Sequence, residues 1–249
     1  MPGELVNVHG IIFKRQKYKE ADLLVKILTK EMGIFTFIAK GALKPKSKSA
    51  GAVLTFSEGD YVVYTKKAGI STLRTFKKVK THDELYSDLL GNAYVTFIFD
   101  LLDHAFVEYQ PVDKYYDLVS MALTHICEKQ DPEVITQIVQ MQMLEAFGVM
   151  PQLRYCVFCG KSNGEFDYSI KSGGIVCKDH FAQSSRLHLQ PKTVSYLRTI
   201  GLLPFQRLGS IKISDQTKKE SSKTIDKIYD ETVQLNLRTK KFLDELKLL

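Results

Sequence analysis

Residues Arg154 to Phe181 read R-Y-C-V-F-C-G-K-S-N-G-E-F-D-Y-S-I-K-S-G-G-I-V-C-K-D-H-F. Two residues separate Cys156 from Cys159, and two separate Cys177 from His180. Between the pairs lie 17 residues, among them Gly160, Gly164, Gly173 and Gly174. Each short pair fits a tight knuckle that turns both donors toward one point, and glycine supplies backbone conformations that other residues resist. C-x2-C-x17-C-x2-H is a tetrahedral zinc pattern with three thiolates and one imidazole. Two other readings compete. Cys156-Val-Phe-Cys159 alone could be a redox dithiol, but no βαβ context surrounds it and a second pair follows. A disulfide is also possible, but the N-terminus Met1-Pro2-Gly3-Glu4 has neither a basic head nor an apolar run, so no secretory segment is expected. One structural Zn2+ per chain is the expectation. With four protein ligands the sphere is closed, so no open position is left for catalysis. Asp179 lies between two of the donors, and Glu165 lies within the finger. Cys127, in an apolar helical run, reads as a core residue.

Charge is unevenly distributed along the 249 residues. Residues 1–80 carry 16 Lys/Arg against 6 Asp/Glu, residues 81–150 carry 2 against 12, and residues 151–249 carry 17 against 10. Such blocks argue for distinct domains, with a polyanion as the partner of the first. The alternative is that the basic and acidic blocks dock on each other. No stretch is long and apolar enough to suggest a membrane span, and a cytoplasmic protein is expected.

The first eighty residues read as β. Leu5 to Phe13, Leu23 to Thr29, Ile34 to Ala39, Tyr61 to Thr65 and Leu73 to Val79 are the expected strands. Lys30-Glu31-Met32-Gly33 and Lys66-Lys67-Ala68-Gly69 are the expected hairpin turns. Five short strands with one longer link suit a small barrel of OB type, with an SH3-like barrel as the alternative. The link from Lys40 to Gly51 carries Lys40, Lys44, Lys46 and Lys48 and no acid. Lys14, Arg15, Lys17 and Lys19 follow the first strand, and Phe13, Tyr18, Phe35, Phe37, Tyr61 and Tyr64 are interleaved. Barrels of this kind bind single strands by tracking phosphates with cations and stacking bases on rings. Taken singly, each lysine is ordinarily a solvated loop charge and each ring ordinarily core. Lys14, Arg15, Lys40, Lys44, Lys46, Lys48 and Arg74 are the candidate nucleic-acid contacts.

The middle is helical. Apolar pairs recur every four residues from Leu85 to Phe106, which predicts one helix, with Asp83 able to cap it. Further helices are expected over 112–128, from Pro132 to Phe147 with Gly148 ending it, from Pro191 to Ile200, and from Thr224 to Leu246. Phe205 to Lys219 is polar and without a clear pattern. The predicted class is α+β: an N-terminal five-stranded OB-type barrel over 1–80, then an all-α domain over 81–249 with a structural zinc finger embedded at about 154–181.

Two segments in this order resemble the RecO family of bacterial recombination mediators. One is Y-K-E-A-D-L-L-V-K-I-L-T-K-E-M-G-I-F-T-F-I-A-K-G (Tyr18 to Gly41), followed by the basic link and F-S-E-G-D-Y (Phe56 to Tyr61). The other is F-G-V-M-P-Q-L-R-Y-C-V-F-C-G (Phe147 to Gly160), closed by G-G-I-V-C-K-D-H. The resemblance implies a DNA-repair role without bond cleavage. It implies binding of single- and double-stranded DNA and annealing of complementary strands. The implied partners are RecR, the acidic tail of single-strand-binding protein and, indirectly, RecA, in a nucleoid-associated cytoplasmic setting. The zinc ligands carry over onto Cys156, Cys159, Cys177 and His180. Many relatives have cysteine at the last place, so His180 is a departure. No G-x-x-x-x-G-K-[ST] phosphate loop occurs in the chain. A zinc-stabilised protein adaptor that never touches nucleic acid is the rival reading.

Overall fold

The computed structural model describes residues 3–66, 69–207 and 211–248. It forms two compact units, residues 1–123 and 124–249. The first is built on a closed barrel of β1 (Glu4–Tyr18), β2 (Asp22–Thr29), β3 (Gly33–Ala39), β4 (Glu58–Thr65) and β5 (Ser71–Lys80). The strand order is β1-β2-β3-β5-β4, closed by antiparallel pairing of β4 with β1. Only β3 and β5 run parallel, joined at Phe37–Ser71 and Ile38–Thr72. This is the five-stranded Greek-key barrel expected of an OB type, closed here by the β4–β1 ladder. Within the turn expected at Lys66 to Gly69, Lys67 and Ala68 lie outside the described residues.

Alternation selects the inward face. Leu23, Val25 and Ile27 of β2, Phe35, Phe37 and Ala39 of β3, and Tyr61 and Val63 of β4 all enter one buried core. β1 runs five residues beyond the expected Phe13 because it serves two neighbours. Glu4 to Ile11 pair with β4, while Gly10 to Tyr18 pair with β2. The register shift between Ile12 and Lys14 lets one strand turn from the first partner to the second. Lys14 to Tyr18 are held by the backbone ladder, which an apolar pattern does not report. Gly33 is positioned by its turn: its φ is +67°, and a Cβ there would lie 1.9 Å from the Gln110 carbonyl oxygen. No other residue fits that approach.

The link between β3 and β4 is a chain of turns ending in the short helix α1 (Ser49–Ala52). Its start is tied down where the Gly41 N–H donates to the Asp22 carboxylate at 2.7 Å and the Leu43 N–H donates to the Ala21 carbonyl at 2.9 Å. Beyond the barrel, the expected single helix over 85–106 is two: α2 (Glu84–Ser87) and α3 (Leu89–Ala105). Asp88 breaks the run and its carboxylate accepts from the Gly91 N–H at 2.8 Å, so Asp88, not Asp83, caps the long helix. The barrel packs on α3 through rings: Phe99 stacks on Phe13 at 5.3 Å and on Phe56 at 5.6 Å. Helix α4 (Asp113–Cys127) follows, and Cys127 near its end is half-buried.

In the second unit, α5 (Pro132–Met143) starts on Asp131, whose carboxylate accepts from the Glu133 and Val134 N–H groups at 3.0 and 3.3 Å. A two-stranded hairpin, β6 (Phe166–Ser169) and β7 (Gly174–Cys177), carries the Cys/His segment. Helix α6 (Pro191–Leu202) and α7 (Asp215–Ile228) pack with α5. The single helix expected over 224–246 is corrected to α7, a wide five-residue turn at Tyr229–Val233, and α8 (Arg238–Leu246). Tyr229 is buried and its hydroxyl donates to the Gln140 carbonyl at 2.8 Å, while Gln234 takes a left-handed φ of 59°. That anchor and reversal interrupt an apolar pattern which continues on both sides. Within the polar segment 205–219, residues 208–210 lie outside the described residues.

Candidate metal centre and cationic barrel surface

The knuckle at Cys156 is closed by its own backbone. The Cys156 N–H donates to the Lys161 carbonyl at 2.8 Å, and the Gly160 N–H donates back to Cys156 at 3.0 Å, with Gly160 at a φ of +73°. Cys177 ends β7, and His180 follows in a 3-10 turn at Lys178–Gln183. Hairpin and knuckle thereby bring all four expected donors together: one ligand atom from each lies within 4.8 Å of the others. Cys159 and Cys177 sulfurs are 3.7 Å apart, and the Cys177 sulfur is 3.3 Å from His180 Nδ1. Sulfurs bound at about 2.3 Å in a tetrahedron would stand roughly 3.8 Å apart, so the donor set fits one ion. All four cysteines are free, so the disulfide alternative finds no support here.

The electrostatics favour thiolate at the first knuckle. Burial opposes charge on Cys156, but N–H groups of Cys177, Phe158 and Cys159 aim at its sulfur, and its pKa falls to about 6. At Cys177 burial and the neighbouring sulfurs of Cys156 and Cys159 raise the pKa. Such opposed neighbours suit a cation between them. Neither nearby carboxylate is idle: Asp179 pairs with Lys161 at 2.9 Å and Glu165 with Lys178 at 3.0 Å.

Pattern reading missed the side chains that hold this module. Asp167 of β6 is buried, and its carboxylate accepts from Arg186 Nη1 and from the N–H groups of Tyr168, His188 and Leu189, at 2.7 to 3.1 Å. Arg198 of α6 donates to the carbonyls of Leu153 and Arg154 at 2.9 and 3.1 Å, clamping the chain just before the first knuckle. Nothing in the spacing of Asp167 or Arg198 advertises either role.

The seven candidate cations divide by position. Lys40, Lys44, Lys46 and Lys48 are exposed along the β3–β4 link. Among the described residues, no acidic side chain comes within ion-pair distance of them. Arg74 is exposed on β5, the strand beside the end of β3 that leads into Lys40, and its guanidinium lies over the Tyr64 ring at 5.1 Å. Arg15 is half-buried on β1; burial lowers its pKa, and its Nε has no hydrogen-bond partner. Lys14 lies 3.7 Å from Asp103 of α3. The rings divide too. Phe13, Phe35, Phe37 and Tyr61 are core, which leaves Tyr18 and Tyr64 accessible.

A family model described as Recombination protein O N terminal matches residues 1–82, and one described as Recombination protein O C terminal matches residues 86–241. The chain belongs to the RecO family. A relative from Lactobacillus helveticus, named DNA repair protein RecO, is 65% identical over the whole of both chains. That of Enterococcus faecalis, with the same name, is 36% identical over 96% of this chain and 91% of its own. RecO membership makes this a DNA-repair chain, consistent with recombination mediation. Among the described residues no helix is long and apolar enough to cross a membrane. The second unit also holds a pocket of about 450 Å³ lined by Val134, Ile135, Ile138, Phe205 and Ile213, with Lys212 and Asp131 among its other residues.

Proposed function

We propose that this protein is a recombination mediator that gathers single- and double-stranded DNA on the barrel and anneals complementary strands without breaking any bond. The observation that carries the reading is the acid-free lysine link on an OB-type barrel. Lys40, Lys44, Lys46 and Lys48, with Arg74, make the main phosphate contacts; Arg15 and Lys14 extend them along β1. Neutralising phosphate lowers repulsion between strands, and rings that ignore base identity let strands shift until they pair. Neither step needs a nucleophile or a nucleotide. One structural Zn2+, held by Cys156, Cys159, Cys177 and His180, supplies the local fold of residues 154–181 and no chemistry, because its four positions are filled by side chains. The working division is a DNA-binding barrel over 1–80 and a helical partner-binding region over 81–249.

The partners in this reading are RecR, single-strand-binding protein through its acidic C-terminal tail, and RecA by way of loading, in the cytoplasm at the nucleoid; membership of a DNA-repair family supports them. The apolar pocket beside α5, with Lys212 in its lining, is the place we assign to the tail. Asp131 in that lining is neutralised by Lys218 at 2.8 Å. One observation favours the rival adaptor reading: Lys26 and Lys30 of the barrel already pair with Asp103 and Asp117. The test is annealing of complementary oligonucleotides coated with single-strand-binding protein. Acceleration by this protein supports mediation; tail-peptide binding without DNA binding or annealing supports the adaptor.

A further inference from the structure

Tyr155 and Phe158 flank Cys156 on the first knuckle, and both are about half exposed, at 45% and 47%. Large rings left in water on one tight turn are unusual unless something covers them. Phe158 is not loose: its ring lies on the His180 imidazole at 5.5 Å and 19° from parallel. The backbone beneath is pinned as well, where the Val157 N–H donates to the Ile175 carbonyl at 3.0 Å. One face of Phe158 thus covers a metal donor, and the ring is still half exposed. Among the described residues the Tyr155 hydroxyl has no protein partner. Arg154 beside it is exposed with no acid in ion-pair range among the described residues. Among the described residues Lys161 ion-pairs with Asp179 alone, and both are about half exposed or more, a pairing that water and salt weaken.

We propose that this knuckle is a second single-strand contact, with Tyr155 and Phe158 stacking nucleobases and Arg154 and Lys161 meeting the flanking phosphates. The inference rests on the reading that the protein binds single-stranded nucleic acid. Two rings beside the unpaired Arg154 fit bases on a phosphate backbone better than an apolar protein face, which would leave Arg154 without counter-charge. A rigid ring loses little freedom on stacking, and the metal supplies that rigidity. Two separate contacts, one on each compact unit, would let one protein hold a strand at two places.

The test compares labelled oligothymidylate with an abasic oligomer of equal length, using metal-loaded full-length protein. Tyr155→Ala with Phe158→Ala should weaken oligothymidylate binding by about 5- to 150-fold for each stacked base lost. Affinity for the abasic oligomer, salt slope and metal content should not change. Phe158→Leu, which keeps apolar cover over His180, should lose part of the same preference. In wild-type protein, photocrosslinking of a 5-iodouracil strand should label Tyr155 or Phe158. Equal loss on both oligomers, unchanged oligothymidylate affinity, or loss of protein binding alone would overturn the proposal. So would crosslinks that all fall outside residues 154–161, even if the double variant fails to fold. Wild-type protein that ignores oligothymidylate at low salt fails the DNA reading itself, and the knuckle site with it.

Discussion

Lys26 of β2 donates to the carboxylate of Asp103 on α3, whose side chain is 8% exposed. Lys14, the cross-strand partner of Lys26, approaches the same carboxylate at 3.7 Å. One acid therefore balances two adjacent lysines on the barrel. Asp103→Ala should cost about 1.5–3 kcal/mol in denaturant unfolding, the range for hydrogen bonds to charged groups. It should also strengthen oligonucleotide binding and steepen its salt dependence, by freeing Lys14. Lower stability with unchanged binding would place Lys14 outside the DNA site.

The purified protein should contain one zinc per chain. Cys177→Ser should remove it and unfold residues 154–181, read as rapid proteolysis confined to that segment. In peptides such binding is worth about 10–16 kcal/mol, far more than a hairpin of two four-residue strands supplies by itself. Full protease resistance after complete metal removal would show that the module folds without the ion.

Asp167 is the module's other fastening. Asp167→Ala strands the Arg186 guanidinium and three N–H groups together. A cost of about 3–5 kcal/mol is expected, as for a buried ion pair that loses one partner. Asp167→Asn, which can still accept two of these bonds, should cost less. Thermal unfolding of the two variants checks the order; equal stability would remove Asp167 from the scaffold.

Burial works against charge on Asp131, but Lys218 and the N–H groups of Val134 and Glu133 hold its pKa below the ordinary carboxylate value. A depressed pKa means stability that is present above the unfolded-state value and lost as pH falls through the folded one. Asp131→Ala should therefore lower stability near neutral pH, by about 1 kcal/mol for the cap. The gap from wild type should close on acidification below about pH 4. A gap that stays unchanged after the Asp131 carboxyl has itself been titrated, followed by its NMR signal, would mean the cap acts without its charge.

Barrel and donor set were legible because both follow short-range rules. Alternation places Val25, Phe35 and Tyr61 inside, and C-x2-C with C-x2-H brings four donors to one point. What the chain hid depends on distant partners. Lys14 looks like any exposed lysine until Asp103 is seen beside it. Phe13 and Phe35, each ordinarily core when taken singly, are settled as core only when α3 and the barrel interior close over them. The break at Asp88 left no mark, because apolar residues continue on both sides; its cap bond to Gly91 decides. Tyr229 interrupts the last helix through a hydrogen bond to Gln140, 89 residues earlier.

Binding to a labelled single-stranded oligonucleotide, followed as salt is raised, tests the central claim most directly. If four to six cations meet phosphate, log affinity should fall against log salt with a slope of about −3 to −4. Lys44→Glu, Lys46→Glu and Lys48→Glu together should weaken binding and flatten that slope. A protein that leaves the oligonucleotide unbound at low ionic strength, with its metal in place, would contradict the account.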